Sequence, residues 1–446
     1  MRHMAARILL PCALLVGAGA ASAEKPSKTQ ELARRVVTQS AGVKPGEVVL
    51  VYGLPRDLTL LEDLVIEVER AGGSPILQLG TERIYRESLV GTEAYDGSLR
   101  RAAKGMAELI DVRIGLDDTE TEGLLADIPA ERLEKRARAN EPVNEIFRKR
   151  KIRGVFIGND LYPTPWRAKQ QGLAPAALAK SFWDGLAVDG AELKTRGDAV
   201  ARALVGKDVH LTAPNGTDLR LSTQGTRTWV SDGVISPEEV AAGQYVTFLP
   251  AGEVAVIPTP GTGDGQVVTD EFTFEGKLVK KLTLKLEKGK LVSFTGEGPG
   301  FARLKEIYDG GSAGKDELSW IDLGVNTHVA QMKRGNFVAG GSVNLGTGGN
   351  AWCGGSNTAT AGLGASPTHA TLEVDGKVVI ENGKLKLSRS WPRSAGADLG
   401  LRVPRRVTAR GRACCCPRSR TSPCRAWWSG RRRSRTPRSS PTRRRA

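Results

Sequence analysis

The strongest constraint on this chain is a change in its hydrophobic rhythm close to residue 206. Before that point, short apolar runs alternate with segments of helical spacing. Residues 47–52 (E-V-V-L-V-Y) read as a buried strand, and residues 58–71 carry apolar side chains at helical spacing before Gly72-Gly73. Residues 75–79, 111–116 and 153–157 read as further strands. Residues 99–109, 130–151 and 175–204 read as helices, with a possible interruption at Pro142 and a break expected near Gly190 or Gly197. Parallel strands need crossover connections, so this order predicts an α/β unit with helices on both faces of a parallel sheet. After residue 206 the signal changes to paired short strands. Residues 209–221 surround Pro214-Asn215-Gly216, residues 267–294 show more alternation, and residues 372–387 contain turns at Asp375-Gly376 and Asn382-Gly383. The second half is therefore expected to be antiparallel and α+β.

The ends of the chain differ from its body. Arg2, His3 and Arg7 precede an apolar run over 8–19 and an Ala21-Ser22-Ala23 cleavage pattern. Residues 1–23 read as a secretion signal, which predicts an exported protein, periplasmic or extracellular. No later segment is long and apolar enough to predict a membrane span. From Trp391 onward there are 17 Arg, no Lys and one acid, Asp398, so the tail accounts for the whole net charge of +16. The body is balanced, which argues against nucleic acid as its partner. Lys is used up to Lys386 and never afterwards. The change reads as out-of-frame translation, with a native Arg-rich arm as the alternative; in either case residues 389–446 are expected to be disordered. Four of the six cysteines lie there, and Cys414-Cys415-Cys416 lacks the spacing of a zinc site. Only Cys353 remains in the body, so no internal disulfide supports the fold. About 365 residues are left between leader and tail, more than one ordinary core. The expected domains are 24–205 (α/β) and 206–388 (α+β).

The familiar catalytic signatures are absent. There is no H-E-x-x-H, G-x-S-x-G or P-loop, and the glycine-rich stretch 346–364 lacks the Lys-Ser/Thr that binds phosphate and magnesium. The body has three histidines, His210, His328 and His369. Taken alone, Glu253 is an acid on a turn and His369 a histidine in a loop.

Three segments in order change that reading: N-G-T-D-L-R-L-S at 215–222, F-L-P-A-G-E-V-A-V-I-P at 248–258 and S-P-T-H-A-T at 366–371. Together they resemble the thermophilic-type metallo-aminopeptidases, the aminopeptidase T and aminopeptidase S family, over roughly residues 37–387. The resemblance implies an α/β domain followed by an α+β domain that carries a two-metal site. It implies zinc or cobalt as the metal, a peptide substrate cut at its N-terminus and a homodimer. In such a site the metals acidify a bound water and polarise the scissile carbonyl.

Carried over residue by residue, the ligand set is incomplete. Glu253 matches the first Glu, in L-P-x-G-E-V. The second Glu should lie six residues before the Asn of G-x-N. Here that motif is Gly324-Val325-Asn326, and the position holds Trp320. Asp322 is close by, and in a strand 320 and 322 share a face ~7 Å apart, so Asp322 is a substitute. Asn344 stands where G-x-x-H has its His. His369 is retained, while Thr371 replaces the Asp of S-x-x-H-x-D. No Tyr follows Asn344 closely; Trp352 is the nearest aromatic. His328 is a compensating ligand if it turns inward. The resemblance thus implies Glu253 and Asp322 as catalytic groups, with Glu253, Asp322, His369, Asn344 and His328 as metal donors lining one cleft. The alternative is a decayed member that keeps the fold as a peptide-binding or structural module.

Overall fold

In the computed structural model, residues 25–116 and 121–386 are described. The expected leader (1–23) and Arg-rich tail (389–446) lie outside them. The strands, in chain order, are β1 (Val48–Gly53), β2 (Ser74–Leu79), β3 (Val112–Leu116), β4 (Arg153–Ile157), β5 (Val209–Thr212), β6 (Asp218–Leu221), β7 (Thr228–Ser231), β8 (Val246–Leu249) and β9 (Glu253–Val256). They continue with β10 (Asp264–Phe274), β11 (Lys277–Glu287), β12 (Lys290–Glu297), β13 (Leu318–Gly324), β14 (Val343–Thr347), β15 (Gly364–Ala365), β16 (Thr371–Val374), β17 (Lys377–Glu381) and β18 (Lys384–Leu385).

Five strands form an all-parallel sheet in the order β2-β1-β3-β4-β8. The helix Leu58–Arg70 places Leu60, Leu61, Leu64 and Val68 on its buried stripe, the i, i+3, i+4 spacing of an amphipathic helix. The helix Ala130–Arg150 runs through Pro142 without interruption. The expected break near Gly190 is present: Pro175–Ala187 ends before Asp189, whose side chain accepts from the Ala191 N–H to start Gly190–Ala203. The sheet does not stop at residue 206. Strand β8 comes from beyond it, and the same apolar core takes in Leu249, Ala251, Val329, Met332, Val338 and Ala339. Local periodicity at V-T-F-L carries no information about which sheet will accept it.

An eight-stranded sheet, β12-β11-β10-β6-β5-β16-β17-β18, gathers the hairpins expected at 209–221, 267–294 and 372–387. The Asp375-Gly376 turn has both φ angles positive, at 48° and 73°, as a tight hairpin requires. A third, antiparallel sheet has the order β15-β14-β13-β9-β7. Its two faces differ. Val254, Val256, Ile321, Leu323, Val343 and Leu345 point into a core shared with the eight-stranded sheet. The residues between them point the other way, towards the C-terminal ends of the parallel strands, and that face holds the site.

Candidate functional site

Strand alternation places the acids. Glu253 is opposite Gly324 and Ser231, while Asp322 is opposite Ala255 and Asn344. Directly opposed residues share a face, so Glu253, Asp322 and Asn344 lie on one side of the sheet, and Trp320 joins them two residues from Asp322. Glu253 is 3% exposed, Asp322 0% and Asn344 1%. The turn before β9 depends on Gly252, with φ at 122°; a Cβ there would sit 2.6 Å from the Asn326 side chain. Asn326 fastens the turn, donating through Nδ2 to the carbonyls of Gly185 and Ala251.

Glu253 is reached from the parallel sheet. Just past β4, Asn159 donates from Nδ2 to Glu253 Oε1 and to the Pro250 carbonyl. Burial pushes Glu253 up to about 7; the Asn159 bond opposes the rise and the Asp160 charge adds to it. Asp322 is pushed well above the usual carboxylate range, first by burial and then by the charge of Glu253. Neither Asp322 oxygen has a hydrogen-bond partner of good geometry, although the adjacent Asn344 amide opposes the rise. Burial also drives the Cys353 thiol up to about 12, with the Asp322 charge adding to it. A thiol held protonated in this way is not a nucleophile at neutral pH.

Three cavities surround this face. One of about 550 Å³ is lined by Glu253, Asn159 and Asp160 together with aromatic side chains, Trp320 and Trp352 among them. A second, of about 430 Å³, is lined by Asn344, Ser366, Asp270 and His369. A third, of about 640 Å³, shares Asp160, Arg167 and Phe337 with the first and Asn336 and Ser366 with the second. Glu253 and His369 thus face different cavities. His369 is exposed, at a φ of 54°, in the turn before β16. Its segment still touches the central face, because Ser366 Oγ donates to Asn344 Oδ1 at 2.6 Å. His328 is exposed and lines none of these cavities; its N–H donates to Asn326 Oδ1. His210 pairs with Asp218 on the eight-stranded sheet.

A two-metal centre needs imidazoles and carboxylates converging on common points. Among the described residues, no group of three or more His, Cys, Asp or Glu is placed to hold a metal ion. The residues present do not fit a two-metal centre. Trp320 stands where the family resemblance expects a donor, and the sheet leaves room for its indole: a Cβ on Gly346, directly opposite, would lie 2.3 Å from it.

Sequence reasoning passed over Asn159, Asp160 and the aromatic lining. The signal available was Gly158-Asn159-Asp160 immediately after a parallel strand, the end at which α/β sheets present their ligands.

A parallel α/β unit whose strand ends face an acid-bearing antiparallel sheet is an architecture this chain shares with solved structures. The fold matches wild-type AmpT from Thermus thermophilus with a TM-score of 0.62 and 18% identity, over 80% of this chain and 99% of that one. The family described as thermophilic metalloprotease (M29) matches residues 25–314, and the chain belongs to that family. A 2,5-dihydroxypyridine dioxygenase from Pseudomonas putida KT2440 also shares the fold, with a TM-score of 0.50 and 14% identity, over 82% of this chain and 99% of that one. No curated protein matches the chain by sequence.

Proposed function

We propose that this protein receives the amino-terminal residue of peptides, the substrate class of a metal-dependent aminopeptidase, in the cavity beside Glu253. The observation that carries this reading is Glu253 itself: a buried carboxylate at the mouth of the parallel sheet, in the position of the family's first Glu. A substrate ammonium entering there restores the ionised form of Glu253 by supplying the opposite charge that burial removes. Asn159 holds the carboxylate oriented, and the aromatic walls take the first side chain. Cleavage requires a divalent metal such as zinc or cobalt, which the family uses to activate water. The donor set among the described residues does not complete that centre. Recognition without cleavage is the second reading, favoured by Trp320, Asn344 and Thr371 at three ligand positions. The leader-like first 23 residues support an exported protein, and the family resemblance supports a homodimer.

The deciding experiment combines metal analysis of the purified chain with an aminoacyl-anilide assay and peptide-binding calorimetry. About two metal equivalents with anilide turnover establishes the hydrolase. Peptide binding without metal or turnover establishes the second reading, and absence of both binding and turnover refutes the proposal.

A further inference from the structure

The cavity beside Glu253 has an unusual wall. Tyr52, Phe156, Phe248, Trp320, Phe337 and Trp352 all line it, and each is only half-buried. Phe156 and Phe248 stack at 5.6 Å and 28°, and the other rings meet at steeper angles. Trp320 meets Trp352 at 5.8 Å and 75°, Phe248 meets Trp352 at 6.5 Å and 74°, and Trp320 meets Phe337 at 6.1 Å and 47°. Rings from β1, β4, β8 and β13 and from the segments at 337 and 352 thus contribute aromatic surface to one volume. Gly346 is what lets the Trp320 indole lie there.

The charges facing that volume are few. Asp160 is ion-paired with Arg167 at 3.0 Å, and both line the cavity. Glu253 is the remaining carboxylate, with Asn159 on one of its oxygens. A primary ammonium is held here through its hydrogen bonds to Glu253, while the rest of the wall offers mostly π faces. A fully alkylated, quaternary ammonium spreads its charge over the alkyl groups on nitrogen, has no N–H to donate and is stabilised by those faces. The same ring chemistry is already used nearby, where the Arg113 guanidinium lies 4.6 Å from the Phe147 ring and 4.9 Å from that of Phe156.

We propose that this cavity is a binding site for an N-alkylated ammonium group, boxed by Trp320, Trp352, Phe248 and Phe337 and neutralised by Glu253. The replacement of a metal-donor position by Trp320 thereby exchanges a site for inorganic cations for one that takes an organic cation. The inference rests on the proposed function only in placing the ligand at Glu253; it requires no peptide bond and no hydrolysis.

The test uses the full chain, choline as the probe and 3,3-dimethylbutan-1-ol, its uncharged isostere, as the control. Binding is followed by tryptophan fluorescence and by calorimetry. Choline should bind at least ~10-fold more tightly than the isostere, as desolvated cation–π contact and one carboxylate imply. Glu253→Gln should remove most of that preference while leaving the isostere's affinity unchanged, and Trp320→Leu should weaken choline more than the isostere. Equal affinity of the two probes for the wild-type chain overturns the proposal, as does failure of choline to bind. If either variant fails to fold, the wild-type ratio still decides. Because neither probe can be hydrolysed, a negative anilide assay does not affect the result.

Discussion

Glu253→Gln should make this protein more stable at neutral pH. The folded chain holds the Glu253 proton up to about 7, above its ordinary 4.5, chiefly because burial penalises the charge. Below pH 4.5 the group is protonated in both states and adds no pH-dependent difference. Between pH 4.5 and 7 the unfolded chain gives up the proton first, so wild-type stability falls as pH rises, and above 7 the loss is complete. At ~1.36 kcal/mol for each pH unit between the two values, the penalty is on the order of a few kcal/mol. Glutamine has no such penalty and can still accept from Asn159. Removing the Glu253 charge also relieves Asp322, whose upward shift it helps to cause. Urea unfolding of both proteins in chelator-containing buffer should therefore show nearly equal stability at pH 4. A gap should open in favour of the glutamine variant by pH 8. A gap of constant size, or a less stable variant at pH 8, refutes the reasoning. Repeating the pH 8 measurement with choline should narrow the gap, since a bound cation favours the wild-type carboxylate. A functional acid kept at a cost in stability is the signature expected of a binding site.

Two further outcomes test the structure, one at the site and one away from it. Gly346→Ala should destabilise the chain by about 2 kcal/mol by driving a methyl into the Trp320 indole, and by under ~1 kcal/mol in a Trp320→Leu background; equal losses in both backgrounds would show that the indole is not the obstacle. Asp96, 2% exposed between Arg132 and Arg136, is held at about 2 by its bond to Arg132 and then by that to Arg136. Its folded value lies below the ordinary 3.8, so Asp96→Asn should lose ~2 kcal/mol at pH 7, a deficit that shrinks as pH falls from about 4 to 2; an unchanged deficit at pH 2.5 in urea titrations would refute the assignment.

The sequence alone determined the rhythm of the fold and the faces of its strands. The alternation E-V-A-V at 253–256, W-I-D-L-G at 320–324 and V-N-L-G at 343–346 already dictates that Glu253, Asp322 and Asn344 leave the apolar side of any sheet they enter, because the side-chain period of a strand is two. The hairpin turns and the helix break near Gly190 were legible for similarly local reasons, through residues that accept positive φ or cap a helix. What spacing could not supply was convergence. That Glu253 and His369 face separate cavities, that Asn159 reaches across from β4, and that β8 crosses residue 206 to close the parallel sheet all depend on pairings between segments distant along the chain. The aromatic box is of the same kind. Tyr52, Phe156, Phe248, Trp320, Phe337 and Trp352 come from separate strands and loops, and each reads locally as an ordinary apolar residue. Only packing of the third sheet against the ends of the parallel strands turns them towards one volume with a single unpaired carboxylate.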